Sequence, residues 1–218
     1  MRALCILFLL IGPAWGQAVL TGAVRVVDAD TFDLGLPETV RLVSIDAPEA
    51  DQACRDGSRT LPCGEMATRA ARALFEGRQA RCLSDGQDRY GRYLANCIVD
   101  GADVGETLVA AGWALRYRDD PTYAEAEKAA AATGRGVWAY EMANPAEWRA
   151  AERAERALAN APPDGACAIK GNVSANGQLY HLPGSPSYGA TRIDEAAGER
   201  WFCDEAEAVA AGWHRAGG

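Results

Sequence analysis

Seven cysteines in a chain of 218 residues constrain the fold more than any other feature. Cys5 lies in an apolar N-terminal run, and the others are Cys54, Cys63, Cys82, Cys97, Cys167 and Cys203. Arg2, the apolar residues 3–13 and the small residues Ala14 and Gly16 follow the order of a secretory leader. Residues 1–18 are therefore expected to be that leader, and Cys5 to leave with it. The uncharged stretch is shorter than the ~20 residues of a membrane span. An even set of cysteines in an exported chain favours disulfides, placing the mature protein in the periplasm or outside the cell. Zinc is the competing reading, but there is no closely spaced cysteine pair and the only histidines are His181 and His214. Spacing alone does not fix connectivity, but local geometry ranks the pairs. Cys54 and Cys63 bracket one loop, Cys82 and Cys97 fall on the arms of a hairpin, and Cys167 and Cys203 stand alone in the C-terminal region.

Between those cysteines the pattern is that of an α+β chain. Residues 19–36 read as two strands broken at Asp28-Ala29-Asp30, and residues 39–45 as a third, stopped by Pro48. Residues 50–62 form a polar loop. Met66, Ala70, Ala73 and Leu74 recur at helical spacing within 64–76, and Gly77 ends that helix. Residues 79–83 and 93–99 are two more strands flanking a turn. Asp103 caps a helix to Ala111, and residues 123–132 form another. Five short strands with a helix between the third and fourth match an OB-type β-barrel with three helices. Residues 145–160 read as a charged helix and 161–165 as a Pro-rich linker. The expected divisions are a barrel domain at 19–140, a connector at 141–165 and a small disulfide-linked module at 166–218.

The net charge of −8 argues against non-specific coating of nucleic acid. It does not exclude a site where a cation and arginines set the local field. Pairing of the second and third strands brings Asp30 close to Asp46, and adjacent carboxylates need a cation or a proton to coexist. Calcium takes carboxylate and carbonyl oxygens, so the main-chain oxygen of Ala47 completes a ligand set, and magnesium fits the same oxygens. Arg41 lies near the same strand end, and Arg92 follows the turn Asp88-Arg89-Tyr90-Gly91. Guanidinium groups match phosphate oxygens. Glu49 can take a proton from water. Carboxylates, a dication and two arginines suit phosphodiester hydrolysis, although each residue taken singly also fits a turn or a solvated surface.

The strings Val27-Asp28-Ala29-Asp30-Thr31, Val40-Arg41-Leu42-Val43-Ser44-Ile45-Asp46-Ala47-Pro48-Glu49 and Asp88-Arg89-Tyr90-Gly91-Arg92 resemble, in order and spacing, the signature motifs of the staphylococcal nuclease family. Gly105 to Ala114 and Gly136-Val137-Trp138 resemble its helical landmarks. The resemblance implies calcium held by Asp30, Asp46 and Ala47, and catalysis by Arg41, Glu49 and Arg92. It also implies substrate contacts from Arg89, Tyr90 and Tyr117. The implied activity is cleavage of DNA and RNA leaving 3'-phosphate ends, by a monomer. Ala29 and Ala47 stand where the family commonly has glycine and threonine. The alternative is an exported OB-type module that binds nucleic acid or saccharide without cutting it.

The tail, with Ile169 to Ser174, Tyr180 to Gly184, Gly198 to Cys203 and Ala210 to Trp213, resembles the sunset domain. Its rings Tyr180, Tyr188 and Trp201 could stack on a ligand, but a domain this small needs them for its own core. His181 reads as structural.

Overall fold

The computed structural model describes residues 17–159, 161–162, 167–175 and 177–217. The expected leader lies outside them up to residue 16, as do residues 163–165 of the expected linker. The chain divides into two units, one ending at Trp148 and the other beginning at Arg149.

The first unit opens with β1 (Ala18–Ala23), which starts at the last residue of the expected leader, followed by β2 (Arg25–Asp28), β3 (Thr31–Asp33), β4 (Val40–Leu42) and β5 (Ile45–Asp46). A small hairpin, β6 (Cys54–Asp56) and β7 (Arg59–Leu61), precedes helix α1 (Cys63–Phe75). Then come β8 (Gln79–Gln87), β9 (Tyr93–Val99), β10 (Ala102–Asp103), α2 (Val104–Ala110), β11 (Leu115–Arg116) and α3 (Ala124–Ala132). Helix α4 (Pro145–Ala159) contains the division between the units.

The main sheet runs β1-β8-β9-β4-β3-β2, with β10 also on β9. Its seven strands replace the five expected. Strands pair antiparallel except β4 with β9. The two ends of this order, β1 and β2, are separated in sequence by Val24 alone. The sheet must therefore curl until its edges nearly meet, giving an incomplete barrel.

Two local breaks divide expected strands, the first adding one strand to the sheet, while the short β10 adds the other. The Val24 N–H bonds Arg78 O and its carbonyl accepts from Gly77 N, so its polar groups leave the ladder. Ser44 takes a left-handed φ of 63°, which splits the expected third strand into β4 and β5.

Alternation fills the interior. On β8 and β9 the buried residues are Ala80, Cys82, Ser84, Ala95, Cys97 and Val99, period two as a half-buried strand requires. Cys82 is the direct register partner of Cys97, and the two are bridged. Helix α1 lays Ala67, Ala71 and Phe75 into the same core as Val26, Phe32 and Val40. Asp103 caps α2 by accepting from Glu106 N at 2.9 Å, and the same oxygen takes the Tyr123 hydroxyl at 2.9 Å. The glycine landmarks also meet. Val137 N donates to Gly112 O at 2.9 Å, and a Cβ on Gly112 would lie 2.1 Å from Arg135 O.

The second unit pairs β14 (Arg200–Phe202), β12 (Ile169–Ser174), β13 (Gly177–His181) and β15 (His214–Arg215) in that order, with helix α5 (Glu205–Ala210). Ile169, Tyr180, Phe202, Ala208 and Trp213 form its core, and Phe202 meets Trp213 edge-on at 5.3 Å. Cys167 is bridged to Cys203. Lys170 is buried, but its ammonium donates to the carbonyls of Tyr188 and Thr191 and lies 4.3 Å from the centre of the Tyr188 ring. The rings named as candidate stacking surfaces are thus engaged inside the unit. His181 Nε2 pairs with Asn172 Oδ1 at 2.9 Å.

Candidate active site

The site grows from the turn between β2 and β3. Asp28 Oδ1 accepts from Asp30 N and shapes this turn. Asp30 is left 2% exposed at its inner end, with Leu42 N bonded to its carbonyl. Arg41, on β4, is the register partner of Thr31. Its guanidinium bridges two acids: Nη1 donates to Asp30 Oδ1, and Nη2 to Asp46 Oδ1 at 3.0 Å. Asp30 Oδ2 accepts from Ala47 N at 2.8 Å, which ties the first acid to the peptide beside the second. The left-handed bend at Ser44 carries Asp46 inward, where it is 3% exposed.

Two carboxylates and one guanidinium meet in this buried cluster. Burial pushes the Asp30 carboxyl well above its ordinary range, against the opposing pull of Arg41. Among the described residues, no three His, Cys, Asp or Glu side chains are grouped closely enough to share a metal. The donors left are all hard oxygens, namely Asp30, Asp46 and the carbonyl of Ala47. That set fits a hard dication such as calcium.

Glu49 sits beyond Pro48 in a stretch held through its main chain. Its N–H donates to Gln52 Oε1 at 3.2 Å, and its carbonyl accepts from Gln52 N at 2.8 Å. The start of α1 packs directly on it, since a Cβ on Gly64 would lie 1.7 Å from Glu49 O. The Cys54–Cys63 bridge closes this loop just before Gly64.

Arg92 precedes β9. Arg41 is the parallel partner of Leu94, and Arg92 lies two residues earlier, just before the strand begins. Asp88 holds Arg92 in place: Oδ2 accepts from Arg92 Nε at 2.8 Å and from Nη2 at 2.7 Å, and Oδ1 accepts from Arg92 N and Tyr90 N. Burial pulls the Asp88 carboxyl upward, but these donors outweigh it and its pKa is lowered. Arg89 and Tyr90 occupy the tip of the same turn. Tyr90 is 65% exposed, with the Arg89 guanidinium 4.8 Å and that of Arg92 5.6 Å from its ring centre.

Backbone pairing places Leu115 opposite Asp46 and Tyr117 opposite Ser44. Strand β11 pairs with β5, and Tyr117 N donates to Ser44 O at 3.0 Å. Arg116 secures the segment by donating to Glu127 of α3. The Arg118 guanidinium lies over the Tyr117 ring at 4.9 Å.

The structure thus joins Asp30, Arg41, Asp46 and Ala47 through direct contacts, while Arg92 is held within the Asp88 turn and Tyr117 is paired to Ser44. The sequence reading missed Gln52, Asp88 and Arg118. Asp88 had a visible signal, four residues before Arg92 within one string. Gln52 had none.

Comparison with known proteins divides the chain in the same region as its contacts do. The family described as Staphylococcal nuclease homologue matches residues 39–140, which include every named site residue except Asp30. The family described as ArfC matches residues 145–215, which is where the tail's match lies. An "Uncharacterized endonuclease" of Escherichia coli O157:H7 is 31% identical over 61% of this chain and 86% of its own length. An "Uncharacterized endonuclease" of Haemophilus influenzae is 32% identical over 55% of this chain. "Succinoglycan biosynthesis protein ExoI" of Rhizobium meliloti is 37% identical over the same share. The chain spans 64% of the length of each of these last two relatives.

Proposed function

From the premise that this chain belongs to the staphylococcal nuclease family, we propose that it is a calcium-dependent nuclease that hydrolyses phosphodiester bonds in DNA or RNA. The observation that carries the reading is the buried Asp30–Arg41–Asp46 cluster, with the Ala47 peptide bonded to Asp30. Calcium bound by Asp30, Asp46 and the Ala47 carbonyl would draw charge from the phosphorus and help hold the ester.

The chain's own groups divide the remaining work. Glu49 accepts a proton from the attacking water. Arg92 meets a phosphate oxygen, pre-oriented by Asp88 so that little freedom is lost on binding. Arg41 stands between the acids and the ester and stabilises the charge gathering on the phosphoryl oxygens. Tyr90 and Tyr117, each beside an arginine, offer exposed rings to neighbouring nucleotides. The products carry 3'-phosphate ends, and the enzyme acts as a monomer.

Disulfides Cys54–Cys63, Cys82–Cys97 and Cys167–Cys203 support an oxidising compartment and export. No described helix is long and apolar enough to cross a membrane. The tail is read as a separate appendage of sunset type.

The test is digestion of single-stranded DNA and of RNA by purified protein with calcium, with magnesium and with a chelator. Cleavage with calcium that stops on chelation is expected. Retained binding without cleavage in calcium would replace the enzyme with a non-catalytic module.

A further inference from the structure

We infer that Gln52 is a positioning residue that sets Glu49 for proton transfer, a role that rests on the proposed hydrolytic function. Gln52 is fully buried, although it lies in a loop between exposed Asp51 and Ala53. A buried carboxamide is costly unless its donors and acceptor are used. Here the acceptor Oε1 takes the N–H of Glu49 at 3.2 Å, and Nε2 donates to Ala143 O at 2.7 Å. The main chain of Gln52 adds a bond on either side. Its N–H donates to Glu49 O, and its carbonyl accepts from Gly64 N at 2.9 Å. Both backbone groups of Glu49 therefore end on one residue.

That residue is anchored on two supports that differ in kind. One is the first turn of α1, pinned beside the Cys54–Cys63 bridge. The other is the strand-like segment near Ala143, 91 residues away in sequence. Glu49 follows Pro48 in a loop and makes no regular strand pairing of its own. Without the carboxamide, one of its two backbone tethers is lost together with the bond to Ala143 O, and only the backbone pair Arg55–Glu141, three residues further on, still joins the loop to that segment. The carboxylate would then no longer be held at a fixed distance from the Asp30–Asp46 cluster. A displacement on the order of 1 Å in a catalytic group can cost ~100-fold in rate.

The structure also separates this role from substrate binding. Arg89, Tyr90 and Arg92 are held by Asp88 and by each other. Loss of the carboxamide is thus expected in kcat and not in KM.

The experiment is a double-mutant cycle on the full chain with Gln52→Met, Glu49→Gln and both changes together, assayed with calcium on single-stranded DNA. Gln52→Met alone is expected to lower kcat by roughly 10- to 100-fold with KM within about 2-fold. Added to Glu49→Gln it is expected to cause no further loss. Hydrogen exchange at the Glu49 amide, read without substrate or calcium, is expected to quicken in Gln52→Met. If Gln52→Met does not fold, Gln52→Asn keeps both polar groups on a shorter side chain and takes its place in the cycle. An equal loss in both Glu49 backgrounds, or unchanged exchange at Glu49, overturns the positioning role and leaves the nuclease reading standing. A fully active Glu49→Gln enzyme overturns it together with the assignment of Glu49 as base.

Discussion

Replacing Arg41 by methionine removes the one guanidinium that touches both acids while keeping a side chain of similar reach. The Asp30 and Asp46 side chains are 3% and 4% exposed, so water cannot take over its role. Removing one partner from a buried ion pair typically costs about 3–5 kcal/mol, because a charge is left uncompensated. Here two carboxylates are left, and the upper half of that range is expected at neutral pH. For a chain of this length that corresponds to a fall in Tm of roughly 2–4 °C per kcal/mol.

The loss depends on pH in a defined direction. Burial already raises the Asp30 pKa above its unfolded value. Such a group binds its proton more tightly when folded, so its contribution is present below the unfolded pKa and is lost as pH rises through the folded one. Without Arg41 that folded pKa rises further, and the variant should regain stability as the solution is acidified from neutrality toward pH values near the ordinary carboxylate range. Calcium should restore part of the stability at neutral pH, as any ligand of the folded state does. The assay is urea unfolding of wild type and Arg41→Met across pH, with and without calcium. A variant as stable as wild type at neutral pH, to within about 0.5 kcal/mol, would refute the reasoning, since surface changes fall in that range.

Three further outcomes are expected. Asp103→Ala should destabilise the first unit by about 1–2 kcal/mol in denaturant unfolding, because Asp103 caps α2 and also holds the Tyr123 hydroxyl. Asp88→Ala should weaken activity roughly 10-fold, mainly through KM, because Arg92 loses its orienting carboxylate; saturation kinetics on a short oligonucleotide check this. In the second unit, burial and the nearby Lys170 lower the pKa of His181 from 6.5. The unfolded chain therefore takes up that proton first, and the unit's stability, full above pH 6.5, should decline as pH falls below it; His181→Gln should flatten that decline in thermal unfolding.

What could be read directly from the sequence was whatever depended on near neighbours. The Cys82–Cys97 bridge follows from two strand arms in antiparallel register, and the Asp103 cap from one polar residue before a helical run. The strings around Asp30, Arg41 and Asp46 were legible because their types are unusual together. The split of 39–45 at Ser44 was not, since nothing local demands a left-handed serine in a β-rich run. Arg41 was expected to act with Arg92 on a phosphate, and its engagement with both acids emerges only once the sheet has curled. Gln52 was invisible because its decisive partner is the carbonyl of Ala143, far along the chain. The count of strands failed for a similar reason, as Val24 bonds residues of the α1–β8 connection and not a neighbouring strand.

Calcium titration calorimetry of wild type against Asp46→Asn probes the cation site without reference to any substrate. Heat from a single site in wild type, abolished in the variant while its fold persists, is the predicted result. Identical calcium binding in the two proteins would contradict it.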